Sequence, residues 1–254
     1  MNIIILGAGT AIPMVNYSCP SFVMQIEDKA FLFDIGPDAL HQLARTEIDI
    51  KKIENVFITH FHPDHTAGLI HLLFATRNPD IIKTRKPFTI TGPKGIKTLI
   101  LKLEEAYYNW LSLPPGLLNI DELKIDQDET RIFPEFIITS KRVRHSEHSI
   151  AYRVEYGSGK SVVYSGDTEY CDGIIELAYN CDLLVLECSF PEGKSIEGHL
   201  TPSLAGKIAK EVRAKRLVLL HFYPEVLKTD IESECRKSYN GEILLGRDLM
   251  SISI

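Results

Sequence analysis

Residues 60–65 read His60-Phe61-His62-Pro63-Asp64-His65, four side chains able to bind a metal within six positions, directly after the apolar run Val56-Phe57-Ile58. Side chains alternate between faces along a strand, so His60 and His62 share one side as the run ends. Asp64 and His65 then open a helical pattern through Leu69, Leu72 and Leu73. Three imidazoles and a carboxylate thus reach one strand-to-helix corner. Imidazole and carboxylate without thiolate suit zinc, and also manganese or iron. A two-cation site needs more ligands, and other apolar runs end on suitable groups: His145 after residues 137–143, Asp167 after 161–165, and His221 after 217–220. A carboxylate placed like Asp167 can bridge two cations held roughly 3.5–4 Å apart. His148 competes with His145, but it stands farther from the strand end, in the turn toward Ala151.

The elements that must carry these groups are short. Strands are predicted over 3–6, 21–26, 30–34, 55–59, 88–91, 136–143, 151–156, 161–165, 183–187, 217–221, 242–245 and 250–254. Helical spacing covers 38–46, the stretch after His65, 94–110, 172–180, 202–212 and 225–239, and Pro114-Pro115-Gly116 closes the third of these. Strands with interspersed helices predict two sheets packed face to face with helices outside, and 254 residues fit one large domain as well as two small ones. There is no internal repeat at the level of sequence. Gly7-Ala8-Gly9-Thr10-Ala11-Ile12 follows a strand but is no dinucleotide loop: Ile12 takes the third glycine position, Pro13 follows, and no helix opens. A tight turn near the site is expected there. Residues 76–90 and 111–135 carry no motif and are expected at the pocket rim.

Composition narrows the class further. A formal charge of −6 over 254 residues argues against a broad electrostatic footprint for nucleic acid. The groupings Lys83-Thr84-Arg85-Lys86 and Lys141-Arg142-Val143-Arg144 read as solvated turns or edges. Five cysteines without a C-x-x-C pair predict free thiols and a reducing compartment; Cys19 and Cys188 lie near the site in sequence but read as inert. The apolar start, Met1 to Leu6, is far too short for a signal peptide, and no run reaches bilayer length, so a cytoplasmic protein without membrane partners is expected.

The ordered set Gly7-Ala8-Gly9-Thr10 with Pro13, Phe31-Leu32-Phe33-Asp34-Ile35-Gly36, Thr59 through His65, Thr91-Gly92-Pro93-Lys94-Gly95, His145, Ser165-Gly166-Asp167-Thr168, Glu187 with Phe190, His199 and His221 resembles the metallo-β-lactamase superfamily, most closely its ribonuclease Z and small phosphodiesterase branch. The resemblance spans nearly the whole chain. It implies an α+β fold of αββα type, a sandwich of two mixed sheets flanked by helices in one domain over 1–254, with the site at one edge between the sheets. His60, His62 and His145 would hold one divalent cation, Asp64, His65 and His221 the other, with Asp167 bridging both and zinc as the expected metal. Such a centre lowers the pKa of a shared water toward neutrality and serves phosphodiester, lactone, thioester or β-lactam hydrolysis alike.

His199, 22 residues before His221, narrows the choice. In the ribonuclease Z branch a histidine in this place contacts the scissile phosphate, where an imidazolium stabilises developing charge or protonates the leaving oxygen. Glu187 is a candidate to orient it, and Asp64 to relay a proton besides ligating metal. Ribonuclease Z proper carries a long arm for gripping transfer RNA between the counterparts of His145 and Asp167. Here 21 residues lie between them, enough for two strands and the turn Gly157-Ser158-Gly159. The expected substrate is therefore a small or cyclic phosphodiester, with RNA not favoured as a partner. The alternatives are a tRNA 3′-processing endoribonuclease, a lactonase or thioesterase, and a non-catalytic binding module. Relatives are often dimers, which makes a homodimer an expectation.

Overall fold

A computed structural model describes residues 1–157, 159–194 and 196–254; Ser158 of the expected Gly157-Ser158-Gly159 turn lies outside the described residues. The strands are β1 (Asn2–Gly7), β2 (Ser21–Ile26), β3 (Lys29–Phe33), β4 (Ile53–Phe57), β5 (Phe88–Pro93), β6 (Leu118–Leu123), β7 (Glu129–Ile132), β8 (Phe136–Arg142), β9 (Ile150–Tyr156), β10 (Lys160–Tyr164), β11 (Leu183–Glu187), β12 (Arg216–Leu220), β13 (Glu242–Leu245) and β14 (Ser251–Ser253). The helices are α1 (Ala39–Ala44), α2 (Pro63–Thr66), α3 (Gly68–Thr76), α4 (Pro79–Ile82), α5 (Ile96–Ala106), α6 (Asp172–Ala178), α7 (Pro202–Glu211) and α8 (Ile231–Arg236).

Two seven-stranded sheets result, ordered β14-β1-β2-β3-β4-β5-β6 and β13-β12-β11-β10-β9-β8-β7. Both run through antiparallel neighbours and then parallel ones: β14 to β3 pair antiparallel and β3 to β6 parallel, just as β7 to β10 pair antiparallel and β10 to β13 parallel. The repeat absent from the sequence is present in the topology, with the C-terminal β14 completing the first sheet.

Alternation along the strands explains the layers. Phe31 and Phe33 point into the core between the sheets, with Phe22, Phe57, Tyr152 and Val162, while Ala30 and Leu32 point outward onto Leu43, Leu69, Leu72 and Ile96 of the helices. Strands covered on both faces read as continuous apolar runs, which is how most of them were visible in sequence.

Three expectations need correcting. The stretch 111–135 is not rim alone, because it contains β6 and β7, the edge strands of the two sheets. Arg131 of β7 forks onto Asp121 of β6, with Nε 2.7 Å from Oδ2 and Nη2 3.1 Å from Oδ1, and so ties the sheets together along this side. The helix expected over 225–239 is a short 3-10 turn followed by α8 alone. Arg85 is no solvated residue either. It is buried, donates to the carbonyls of Ile50 and Ile53 and lies 3.9 Å over the Phe88 ring.

Parallel pairing sends the C-terminal ends of β3, β4 and β5 to one edge of their sheet, and those of β10, β11 and β12 to one edge of the other. Two antiparallel steps give β8 the direction of β10, so the turn after β8 joins that edge. The Gly7 turn reaches it as well: the Phe222 N–H donates to the Ala8 carbonyl at 3.0 Å.

Candidate metal centre

His60, His62, Asp64, His65, His145, Asp167 and His221 sit on the segments that follow strand ends at this edge, while His199 lies in the loop between β11 and α7. After β4 the chain runs through Thr59, His60 and His62 into α2, with Pro63 at the first helical position, where its missing N–H costs nothing. Asp34 follows β3 and His221 follows β12, each in a left-handed backbone conformation, φ 51° and 60°, that turns the side chain sharply away from its strand. Non-glycine residues held there store of order 1–3 kcal/mol of strain, a feature that concentrates at functional sites.

The side chains converge in two groups that share one carboxylate. His60, His62, His145 and Asp167 offer donor atoms within 4.8 Å of one another, as do Asp64, His65 and His221. Asp167 Oδ1 lies 3.2 Å from His65 Nε2, while Oδ2 lies 3.3 Å from His221 Nε2, 3.6 Å from His145 Nε2 and 3.8 Å from His60 Nε2. Asp64 Oδ2 is 3.6 Å from His221 Nε2 and 3.8 Å from His65 Nε2. His62 Nδ1 faces His145 Nε2 at 3.0 Å. The structure leaves His148 outside this cluster, packed on Phe61 with ring centroids 5.3 Å apart.

Partners behind the rings decide which nitrogen turns inward. His65 Nδ1 donates to Asp34 Oδ2 at 2.7 Å, His221 Nδ1 to Ser189 Oγ at 2.9 Å, His145 Nδ1 to the Gly198 carbonyl at 2.9 Å, and His60 Nδ1 to Thr59 Oγ1 at 3.0 Å. Each of these rings thus turns its Nε2 toward the centre. Asp34, fully buried, also accepts from the Thr59 N–H, the Thr59 hydroxyl and the Tyr164 hydroxyl, each at 2.8 Å. Of these supporting residues only Asp34 carried a signal, an acid directly after an apolar run; Tyr164 and Ser189 looked like ordinary strand and loop residues.

His60 Nε2, His65 Nε2, His221 Nε2 and Asp167 Oδ1 are buried and have no hydrogen-bond partner among the described residues. Four acceptors left bare together would be costly, and a divalent cation is the group that satisfies them, since it needs inward lone pairs and no protons. The electrostatics divide the rings: burial lowers the basicity of His65, but the Asp167 and Asp34 carboxylates prevail and raise it well above the usual range, so a cation would take the place of a proton there. Burial, reinforced by neighbouring imidazoles, lowers the basicity of His60 well below the usual range and that of His145 below it, so both remain neutral ligands. Burial raises the Asp167 carboxyl, but His221 and His65 outweigh it and hold Asp167 well below the ordinary carboxylate range. Asp64 is held low in the same way, burial being overcome by His221 and His65.

His199 stands beside this cluster, its ring stacked on His221 at 5.6 Å and 12°. Asp167, His199 and His221 offer donor atoms within 4.8 Å of one another. Glu187, 2% exposed, accepts from His199 Nδ1 at 3.0 Å, from the Thr168 N–H at 2.8 Å, from the Leu200 N–H at 3.1 Å and from the Ser189 hydroxyl. Burial lowers the His199 pKa, but the bond to Glu187 and its charge prevail, and the net shift is upward. The cysteines are free, and burial, followed by the charges of Asp38 and Asp64, pushes the Cys19 thiol up to about 12, which makes it inert.

Comparison with known proteins agrees with this geometry. Residues 29–222 match the beta-lactamase superfamily domain. Ribonuclease Z of Bacillus subtilis (strain 168) is 30% identical over 277 residues, covering 87% of this chain and 88% of the relative. Among solved structures, the metallo-beta-lactamase fold protein YhfI from Bacillus subtilis superposes with a TM-score of 0.86 at 25% identity, covering 99% of each chain. The short form of human tRNase Z superposes with a TM-score of 0.81 at 26% identity, covering 100% of this chain and 99% of that one. The two mixed sheets, the shared edge of imidazoles and carboxylates and these likenesses lead to one conclusion: the chain belongs to the beta-lactamase superfamily, in its ribonuclease Z-like branch, and is a metal-dependent hydrolase.

Proposed function

We propose that this chain is a phosphodiesterase acting on a small or cyclic phosphodiester. His60, His62 and His145 would hold one divalent cation and Asp64, His65 and His221 a second, with Asp167 facing both; zinc suits the donors best, with manganese or iron also compatible. When bound, two such cations supply Lewis acidity toward phosphoryl oxygens and a nucleophile at neutral pH. The rest is done by side chains. Glu187 keeps a proton on His199 Nδ1, so that Nε2 serves as a second donor toward a phosphoryl or leaving oxygen. Asp64, ionised at the mouth, is placed to accept a proton.

The observation that carries this reading is the buried Glu187–His199 pair at the rim of the cluster, because an imidazolium there complements an anionic phosphate and has no use in a purely structural corner. A small substrate is favoured by the path from His145 to Asp167. It is filled by β9 and β10, paired through Tyr156 and Lys160 at the hairpin end, which leaves no length for an RNA-gripping arm. RNA processing is the second reading, favoured by the likeness to ribonuclease Z.

The test uses purified protein of defined metal content with bis(p-nitrophenyl) phosphate, a cyclic nucleotide, a precursor tRNA transcript and a panel of carboxylic esters. Hydrolysis of the first two is expected, with His199→Ala retaining metal and losing about 10²–10⁴-fold in kcat. Undiminished turnover in that variant sinks the phosphodiesterase reading; cleavage of the transcript alone moves the assignment to RNA.

A further inference from the structure

One aromatic residue at the centre is unexplained by metal binding or by packing. Tyr223 lies two residues beyond His221, and its ring stacks on Phe190 with centroids 4.6 Å apart and planes at 22°. It meets the rings of His221 and His199 edge to face, at 5.8 Å and 6.2 Å. Phe190 is buried and packs on one face of Tyr223, while Tyr223 itself is only half-buried.

The hydroxyl distinguishes this tyrosine from the others in the interior. Tyr152 donates to the Ile58 carbonyl, Tyr164 to Asp34 and Tyr239 to the Ala214 carbonyl, each at 2.7–2.8 Å. Tyr223 has no hydrogen-bond partner among the described residues, although a packed tyrosine usually finds one. The ring lies against His221 and His199, which share donor contacts with Asp167, and this sets the side chain beside the centre. A phenol is neutral at physiological pH in any case, and so can donate to an anion arriving there.

We propose that Tyr223 is a substrate-contacting residue: its phenol donates to a non-bridging oxygen of the bound phosphodiester, and the face of its ring not covered by Phe190 receives an aromatic group carried by the alcohol that stays on the phosphate when the leaving group departs. The proposal rests on the phosphodiesterase reading and adds to it a class of substrate, phosphodiesters carrying an aromatic substituent close to the phosphorus. Its two parts separate by chemistry. Tyr223→Phe keeps the ring and removes the donor; Tyr223→Leu removes both.

The experiment compares the metal-loaded wild type with these variants on the p-nitrophenyl ester of thymidine 5′-phosphate and on methyl p-nitrophenyl phosphate, which release the same leaving group. A hydrogen bond to a charged oxygen corresponds to about a 10- to 100-fold loss. Tyr223→Phe is expected to lose that factor in kcat on both esters with metal content and Tm at wild-type values, which a packing role would not produce. Tyr223→Leu is expected to raise KM for the thymidine ester further and to leave KM for the methyl ester unchanged. A Tyr223→Phe enzyme within twofold of wild type on both esters overturns the donor role; equal KM effects of Tyr223→Leu on both overturn the stacking role. Failure of the wild type to cleave either ester, with carboxylic esters hydrolysed instead, removes the phosphodiesterase reading and this proposal together.

Discussion

At the scale of single residues the centre is built by partners behind the ligands. His65 shows the rule: a buried imidazole has two nitrogens, and Asp34 accepts from one so that the other is turned to the centre. Such partners behind metal ligands are worth about 10–100-fold in metal affinity or activity. Glu187 applies the same device to a different end, holding a proton near His199. Because the His199 pKa is raised, its imidazolium is fully present below the raised value and is lost as pH climbs through it. The alkaline limb of kcat should therefore lie above that of an ordinary imidazole. In Glu187→Gln the charge is gone, burial dominates, and the limb should move to lower pH; a pH profile of kcat with unchanged metal content checks this.

At the scale of elements the precision comes from turns that only certain residues can make. Gly166, between β10 and Asp167, has φ +55°, and a Cβ there would stand 2.7 Å from the Thr59 side chain, which in turn holds Asp34 and His60. Gly166→Ala should cost more than about 1 kcal/mol, from the backbone strain and the displaced Thr59 together. A fall in Tm is the direct readout, with metal affinity falling in parallel because Asp167 moves with the turn.

At the scale of the whole molecule, two sheets of like topology meet with their strand ends side by side, and neither alone contains a complete centre. His60, His62, Asp64 and His65 come from the first sheet; His145, Asp167, His199 and His221 come from the second. Metal binding should thus report on the docking of the two halves. A free cation at 100 times its dissociation constant adds about 2.7 kcal/mol to the folded state, so chelation should lower Tm by several degrees and zinc or manganese should restore it. Unchanged Tm under chelation, with metal shown to be removed, would contradict a centre that bridges the sheets. No helix among the described residues is long and apolar enough to cross a membrane.

Much of this was legible in the sequence. The corner at residues 60–65 and the strand-end positions of His145, Asp167 and His221 follow from alternation and from apolar runs that stop at polar residues. Both are properties of near neighbours along the chain. The edge strands β6 and β7 escaped notice because they are half-exposed and interleave charged residues, so no apolar run marks them. Sequence by itself therefore determined the kinds of ligand, their delivery to strand ends and the layered fold. Only the tertiary structure decided that Asp34 stands behind His65, that Tyr164, 130 residues away, hydrogen-bonds to Asp34, that Arg85 is buried, and that Tyr223 packs beside His221 and His199. Those choices depend on sheet register and on the packing of one sheet against the other, and contacts between distant strands leave no local periodicity to read.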